Sequence, residues 1–553
     1  MSSNSWGVPM TLPGQPIAPP LPPQRLFHSE ATRLLCAGVY FDAEFRRRVV
    51  EELVEHEERP VAPSLGIDAV PVLAHAVRAR RQELETALLL LGVWAVFLGM
   101  TVSDYGWLGV LQPTWFTLYA VVCAASWMSR AATGLGTSVY TLDRAMVRQA
   151  TSGRMKMLLP FGPRLLTLGY WTFVLYALVN GGDAWAGLVF PLLLVLPVWV
   201  HRSRVAAVMC RELSPLAYPR RPRAALPRLD RYRRIGAAID REQHAPLTIY
   251  DPFRPFIGAG KPYEPWSFAL ELKRAATAGP ASEPLTGHDV VSLIKPRLQA
   301  LRTSAAATSR DRLRALETEE FVYLPVGAPR SHVGYERQAV SRHLRDAVDE
   351  GGEARRHFLR VRVGAWDEQV VVSVLVRVHT QGEMLVLEVA PHVLTPVRPE
   401  FKAADVIAAR GEADVLRDGV RALFAAPGAT FAAGVSAVRT VVSEFRVWLA
   451  DPRRALPDGP ATSVRELGST KEVSLFQEMD VSRYVKTIQD RIASGVREAL
   501  RAKGYQTGEF EQQIINVSGG GVFIGSMSGG AVATGERATA RHGEGGRGER
   551  KGR

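Results

Sequence analysis

The sequence predicts an α-helical membrane protein, with about four transmembrane helices in two hairpins, joined to an α+β cytoplasmic domain that contains an antiparallel meander. Three observations carry this prediction. Four apolar stretches fall between residues 86 and 200, and none contains a charged residue. Basic residues crowd one side of these stretches and are missing from the two short loops on the other. Beyond residue 245 the hydrophobic pattern switches repeatedly between alternating and helical spacing, as it does where helices pack on a sheet.

In chain order, residues 1–27 form a Pro-rich arm expected to be disordered. Pro9, Pro13, Pro16, Pro19, Pro20, Pro22 and Pro23 favour extended polyproline geometry without a packed core. No basic-then-apolar signal precedes the first span, so that span is expected to direct insertion itself. Residues 28–84 read as cytoplasmic helices. Phe45, Val49 and Leu53 share one face, Pro60 and Pro63 end that helix, and a further helix over 69–81 leads into the membrane.

The first hairpin, 85–129, contains apolar runs at 86–102 and 107–128, and the second, 165–200, contains runs at 165–179 and 184–200. About 17–25 helical residues cross a bilayer core, so 165–179 is the shortest candidate. Trp107, Trp115, Trp127, Trp171, Trp185 and Trp199 mostly lie near span ends, as an interfacial aromatic belt places them. The basic loop 130–164 carries net +5 and the Arg-rich connector 201–245 net +7, which together hold nearly all of the chain's +13. Positive charge stays inside, so both termini are expected in the cytoplasm of a multi-pass plasma-membrane protein. In the connector, Arg202, Arg204, Arg211, Arg220, Arg221, Arg223, Arg228, Arg231, Arg233 and Arg234 are candidates for contact with anionic lipid headgroups, at about 1 kcal/mol per basic residue near the surface. This placement disfavours nucleic acid as the partner. The uncharged spans argue against proton relays and charged-substrate transport.

Residues 246–455 read as the α+β domain. The run from Tyr250 to Trp266 is rich in proline and aromatic residues and is expected to form a rigid loop. Its Gly258-Ala259-Gly260-Lys261 resembles a phosphate loop in composition only, because Pro255 replaces the first glycine and Pro262 the magnesium-binding hydroxyl. Strands are expected over 267–273, 320–326, 358–363, 370–379 and 384–390, the last three as a meander centred on the nearly all-apolar 370–378. Helices are expected over 288–302, 337–348, 403–426 and 430–449.

Residues 472–504 form an amphipathic helix, with Asp480 as expected N-cap and Gly504 just past its end. Residues 505–535 make a Gly-rich, β-prone tail, in which Ile515, Val517, Val522, Ile524 and Val532 are candidate assembly residues for pairing between copies. The competing reading is a flexible tail, continued by a disordered basic end at 536–553. No catalytic motif is present, Cys36, Cys123 and Cys210 are far apart, and no cofactor or metal is expected.

The run Arg59-Pro-Val-Ala-Pro-Ser-Leu-Gly-Ile-Asp68, the paired hairpins and the Tyr250-to-Trp266 segment together resemble a group of uncharacterised actinobacterial integral membrane proteins. The resemblance covers residues 25–450 and implies no known activity. Separately, helix 480–503 with Ile515-Asn-Val-Ser-Gly-Gly and Gly530-Ala-Val-Ala-Thr-Gly is similar to tails of bacterial immune and signalling proteins, some of them amyloid-like adaptor motifs.

The sequence therefore points to a non-enzymatic, membrane-anchored signalling or scaffold protein with an unidentified cytoplasmic protein partner and self-assembly through its C-terminal part. A small channel or clustered membrane-permeabilising effector, and a membrane-associated enzyme, are the alternatives. The topology is testable by labelling. In a cysteine-free background of intact cells, Asp104→Cys and Asp183→Cys should react with an impermeant maleimide, while Ser152→Cys should react only after permeabilisation.

Overall fold

The computed structural model describes residues 26–102, 113–132, 139–140, 162–180, 185–275, 283–308, 311–327, 330–348, 350, 354–410, 415–450 and 457–518. Ser29 opens helix α1 (Glu30–Phe41), its hydroxyl accepting from the Thr32 N–H. Asp42 then caps α2 (Ala43–Val50), accepting from Glu44 and Phe45, and α2 passes into a wide turn, Glu51–Glu55. Leu34, Leu35, Cys36, Val39 and Tyr40 are all buried, so α1 is a core helix rather than a surface one.

Helix α3 (Ala69–Val102) runs unbroken for 34 residues. Its start packs on α1 and α2, and its apolar remainder enters a bundle with α4 (Pro113–Ala132), α5 (Gly162–Val179) and α6 (Trp185–Arg211). Within the bundle α3 lies mainly on α6 and α4 mainly on α5, with Phe97 stacked on Phe190 at 4.0 Å and Tyr119 against Tyr170 at 5.1 Å.

Helix α7 (Asp230–Glu242) leads into the sheet, built from β1 (Leu247–Tyr250), β2 (Lys261–Pro262), β3 (Trp266–Glu271), β4 (Glu317–Pro325), β5 (Arg356–Ala365), β6 (Val370–Gln381) and β7 (Met384–Leu394). The order is β1-β4-β5-β6-β7-β2, with β3 also on β7; β1 runs parallel to β4 and the other pairings are antiparallel. Helix α8 (Gly287–Thr308) lies between β3 and β4 in sequence, and α9 (Arg337–Val348) between β4 and β5.

The apolar strand β6 is flanked by β5 and β7. Its Val372, Val374, Val376 and Val378 share one core with Val290, Ile294 and Leu298 of α8. Alternation sends the intervening residues to the opposite face, where arginines meet glutamates in register: Glu317 opposite Arg362, Glu319 opposite Arg360, and Arg377 opposite Glu388.

After β7 come α10 (Ala403–Arg410) and α11 (Val415–Ala450), and here the structure departs from the sequence reading. The two helices expected at 403–426 and 430–449 are divided differently. α11 is one helix of 36 residues that continues through Pro427, and it packs on α3, α4 and α6 rather than on the sheet. Residues 246–455 are thus not a single α+β body. The reason lies in a stripe of Ala422, Ala425, Ala426, Ala429, Ala433 and Ala437, which lets helix backbones approach closely. By length and composition α3 (over Ala69–Gly99), α6 and α11 (over Asp418–Leu449) could cross a membrane, while Trp115–Ser129 and Leu165–Val179 are shorter apolar helices.

A four-residue helix, α12 (Val464–Leu467), precedes α13 (Leu475–Ala502) and α14 (Gly508–Ser518). Ser474 and Gln477 cap α13 reciprocally, so the helix starts ahead of Asp480, which pairs instead with Arg483. Gly504, at φ +75°, follows its end. The stripe Val481, Tyr484, Val485, Ile488, Ile492, Val496 and Leu500 is buried against α8 and the sheet of the same chain. Strand character at 514–517 is corrected to helix, because Phe510 and Ile514, four apart, both pack on the core, Phe510 edge-on to Phe268 at 5.7 Å. Glu509 and Glu511 favour the first turn of α14, and Glu511 pairs with Arg497 and Arg501.

α8 and α13 touch at Gly495, where an added Cβ would stand 2.7 Å from Ile294 Cα. Gly495→Val is therefore expected to destabilise the protein by about 1–3 kcal/mol, read as a lowered thermal unfolding midpoint. An unchanged midpoint would show that the two helices are not in close contact.

Candidate functional site

The polar chemistry gathers where the apolar bundle meets the sheet. Asp68 is 1% exposed and precedes α3. It accepts from Val70 N at 3.0 Å, from Arg223 Nε and Nη2 at 2.6 and 2.7 Å, and from Gln243 Nε2 at 3.2 Å, while its own N–H donates to Thr32 Oγ1. Beside it, Glu242 accepts from Val61 N and both its oxygens take Arg330 Nε. Arg33, inside α1, bridges Asp405 of α10 and the Leu213 carbonyl after α6, both at 2.7 Å. Arg46 of α2 pairs with Glu83 of α3, and Glu83 also accepts from Val139 N and from Ser436 Oγ of α11.

The Gly258–Gly260 loop is closed by the protein itself. Glu466 Oε1 accepts from Gly258 N at 2.9 Å and Gly260 N at 3.0 Å, and both glycines have positive φ, +93° and +95°. A Cβ at either position would strike the backbone, at Pro63 O and Val393 O respectively. The N–H groups that could have cradled a phosphate thus hold a side-chain carboxylate. Burial pushes Glu466 above its usual range, and the two glycine N–H groups pull it back down. Phe256, from the same loop, packs on Tyr323, Phe358 and His392.

A cleft of about 450 Å³ opens between α2, with the turn that follows it, and α11. Arg46, Arg47, Arg80, Arg439 and Arg446 line it, together with Glu44, Glu51, Glu55, Ser436, Thr440 and Ser443 and the apolar Val50, Ala432, Val435, Val438 and Val442. Three of the arginines are neutralised: Arg46 by Glu83, Arg47 by Glu44 and Glu51, and Arg80 by Glu444 at 3.0 Å. Among the described residues, Arg439 and Arg446 have no such partner. Along the same helix Val441, Phe445, Trp448 and Leu449 are exposed.

The connector arginines divide into two groups. Arg202, Arg223 and Arg231 turn inward: Arg202 is buried over the Tyr140 ring at 4.9 Å, Arg223 holds Asp68 and Asp240, and Arg231 holds Glu57 and the Val54 carbonyl. Arg204, Arg211, Arg220, Arg221, Arg228, Arg233 and Arg234 are exposed, with Arg204 on Glu85 and Arg233 on Asp230. Of the assembly candidates, Ile515 and Val517 lie in helix α14 rather than a strand, while Val522, Ile524 and Val532 fall outside the described residues. The cleft arginines were missed because 430–449 reads as a helix of the sheet domain; the alanine stripe and the long apolar run at Asp418–Leu449 were the available signal. Among the described residues, no group of three or more His, Cys, Asp or Glu side chains is placed to hold a metal ion.

Residues 265–529 match the family model described as an AbeC-like domain. The match begins at β3, takes in the rest of the sheet with α11 and α13, and leaves out α1 to α7, β1 and β2. The AbeC-like region therefore carries one long apolar helix of its own, which packs against two that lie outside it. No curated protein and no solved structure matches the chain.

His244 reports on this joint. It is half-buried after α7 near Asp68, Arg223, Arg360 and Arg362, and its Nε2 has no hydrogen-bond partner among the described residues. Burial pushes its pKa down to about 4, opposed by Asp68 and assisted by the arginines. The unfolded chain takes up this proton near pH 6.5 and the folded chain only near pH 4, so stability is present above pH 6.5 and lost as pH falls through that window. For this group alone the loss between pH 7 and pH 5 is about 2 kcal/mol. His244→Gln should flatten the fall of the unfolding midpoint between those pH values; an unaltered slope would assign the acid sensitivity elsewhere.

Proposed function

We propose that this chain is a membrane-anchored signalling or scaffold protein of the plasma membrane, multi-pass with cytoplasmic termini, which holds its sheet domain against the inner face of the bilayer. The observation that carries this reading is the exposed apolar belt of the bundle. Leu88, Leu89, Val96, Leu165, Leu175 and Leu192 stand in the open, as side chains facing lipid do. Ion pairs collect where α3 and α6 leave this belt, Arg78 with Glu212 and Arg204 with Glu85, and the junction with the sheet lies there too. The interior filling of Phe97, Phe190, Tyr119 and Tyr170 favours anchoring over a conducting path. The buried acids and arginines are committed to joining elements, which favours a structural partner-binding role over catalysis.

The α13 stripe is occupied within the chain, so self-assembly falls to the tail beyond α14. The full-length chain should stay with membranes in alkaline carbonate and be released by detergent; release by carbonate alone sinks the anchor. Deleting residues 519–553 should abolish self-association in detergent while leaving membrane retention intact. Unchanged self-association would remove the tail from the proposal, and ion flux through liposomes carrying the purified protein would favour the channel reading.

A further inference from the structure

The cleft between α2 and α11 has the composition of a site for one amphipathic anion. Arg439 and Arg446 lie seven residues apart on α11, about 10 Å along the axis and on the same side of the helix. Both line the cleft, and neither has a hydrogen-bond or ion-pair partner among the described residues. Glu55, which accepts from Ser443 Oγ, is the lining carboxylate that has no cation partner there. With Arg48, which shares Glu44 with Arg47, counted among the internal pairs, the cleft keeps a net single positive charge. Guanidinium groups match phosphate oxygens in geometry and bind them through charge-assisted hydrogen bonds.

The other half of the cleft is apolar. Val50, Ala432, Val435, Val438 and Val442 line it, and Ala432 and Val435 lead on towards the apolar part of the bundle, beside Ala429 and Ala433. A soluble phosphate compound has no use for that extension, whereas an acyl chain does. The position also fits. Arg80 and Glu83 mark the last charged turns before the apolar part of α3, and α11 is tied to them through Glu444 and Ser436. On the reading of the bundle as a membrane anchor, this is the level of the lipid headgroups. A second copy is a poorer occupant, because a two-fold contact would bring the unpaired arginines of both copies together.

We infer that the α2–α11 cleft is a binding site for an anionic phospholipid, with its phosphate held by Arg439 and Arg446 and its acyl chains lying along Val438, Val435 and Ala432. This inference rests on the membrane-anchor reading. It goes beyond that reading by placing the headgroup contact on α11 rather than in the connector. A cleft of about 450 Å³ lies within the range of about 300–1,000 Å³ usual for ligand sites.

The test uses the detergent-solubilised full-length protein and native mass spectrometry, with dioleoyl phosphatidylglycerol as probe and dioleoyl phosphatidylcholine as neutral comparison. Arg439→Gln with Arg446→Gln should weaken retention of phosphatidylglycerol by about tenfold or more while leaving phosphatidylcholine retention unchanged. Arg228→Gln with Arg234→Gln, in the connector, should change neither. Equal retention of phosphatidylglycerol by wild type and the α11 variant overturns the site. Displacement of the lipid by excess glycerol phosphate would mean a soluble-phosphate site, and a shift of the variant from dimer to monomer would mean a protein interface; either overturns the lipid assignment. Should the α11 variant fail to fold, the wild-type unfolding midpoint decides. It should rise with phosphatidylglycerol and not with phosphatidylcholine, and equal responses reject the proposal. Carbonate extraction keeps the two readings apart: a protein that resists extraction but binds both lipids alike loses the site and keeps the anchor.

Discussion

Asp68 is the constraint on which the joint between the two halves of the molecule depends. A carboxylate with almost no solvent contact must be paired and hydrogen-bonded; this one is satisfied from three elements at once, while the backbone N–H of the same residue donates to a fourth. It orders the first turn of α3, draws the connector in through Arg223, fixes the end of α7 through Gln243, and takes α1 through Thr32. Glu242, one residue before Gln243, then reaches the sheet side through Arg330. Removing one member of such a set strands the others without water. The bundle and the sheet are therefore coupled by charge as well as by shape.

The same logic explains the unusual run from Tyr250 to Trp266. Its two positive-φ glycines press against the backbone of Pro63 and Val393, and their N–H groups close on Glu466 of the short α12. Next to Glu466, the fully buried Arg465 donates to the carbonyls of Gln369 and Thr395. One acid and one base on a four-residue helix thus pin the loop and the sheet together. A composition that hints at phosphate binding serves internal structure instead, because the acceptor comes from more than 200 residues further along the chain.

Helix α11 shows how the AbeC-like region and the rest of the chain depend on one another. It belongs to the matched region, yet its alanine stripe is buried chiefly by α3, α4 and α6, which lie outside it. Its opposite side leaves Val438, Val441, Phe445 and Trp448 open. A helix buried on its small residues and exposed on its large ones has its second face made for lipid or a partner rather than for the core of its own chain.

Local patterns decided much of this protein without help from the fold. Periodicity alone marks the apolar helices, the meander around β6 and the stripe of α13, because those signals depend on spacing within one element. The connector's charge likewise marks the entry to the bundle. Only tertiary structure could decide which arginines are spent, since Arg223 and Arg228 look alike in sequence, yet one meets Asp68 155 residues away and the other stays exposed. It also decided that 514–517 is helical, because Phe510 finds Phe268 across the core, and that α11 joins the bundle, because alanines are neutral in a sequence pattern until another helix comes close enough to need them.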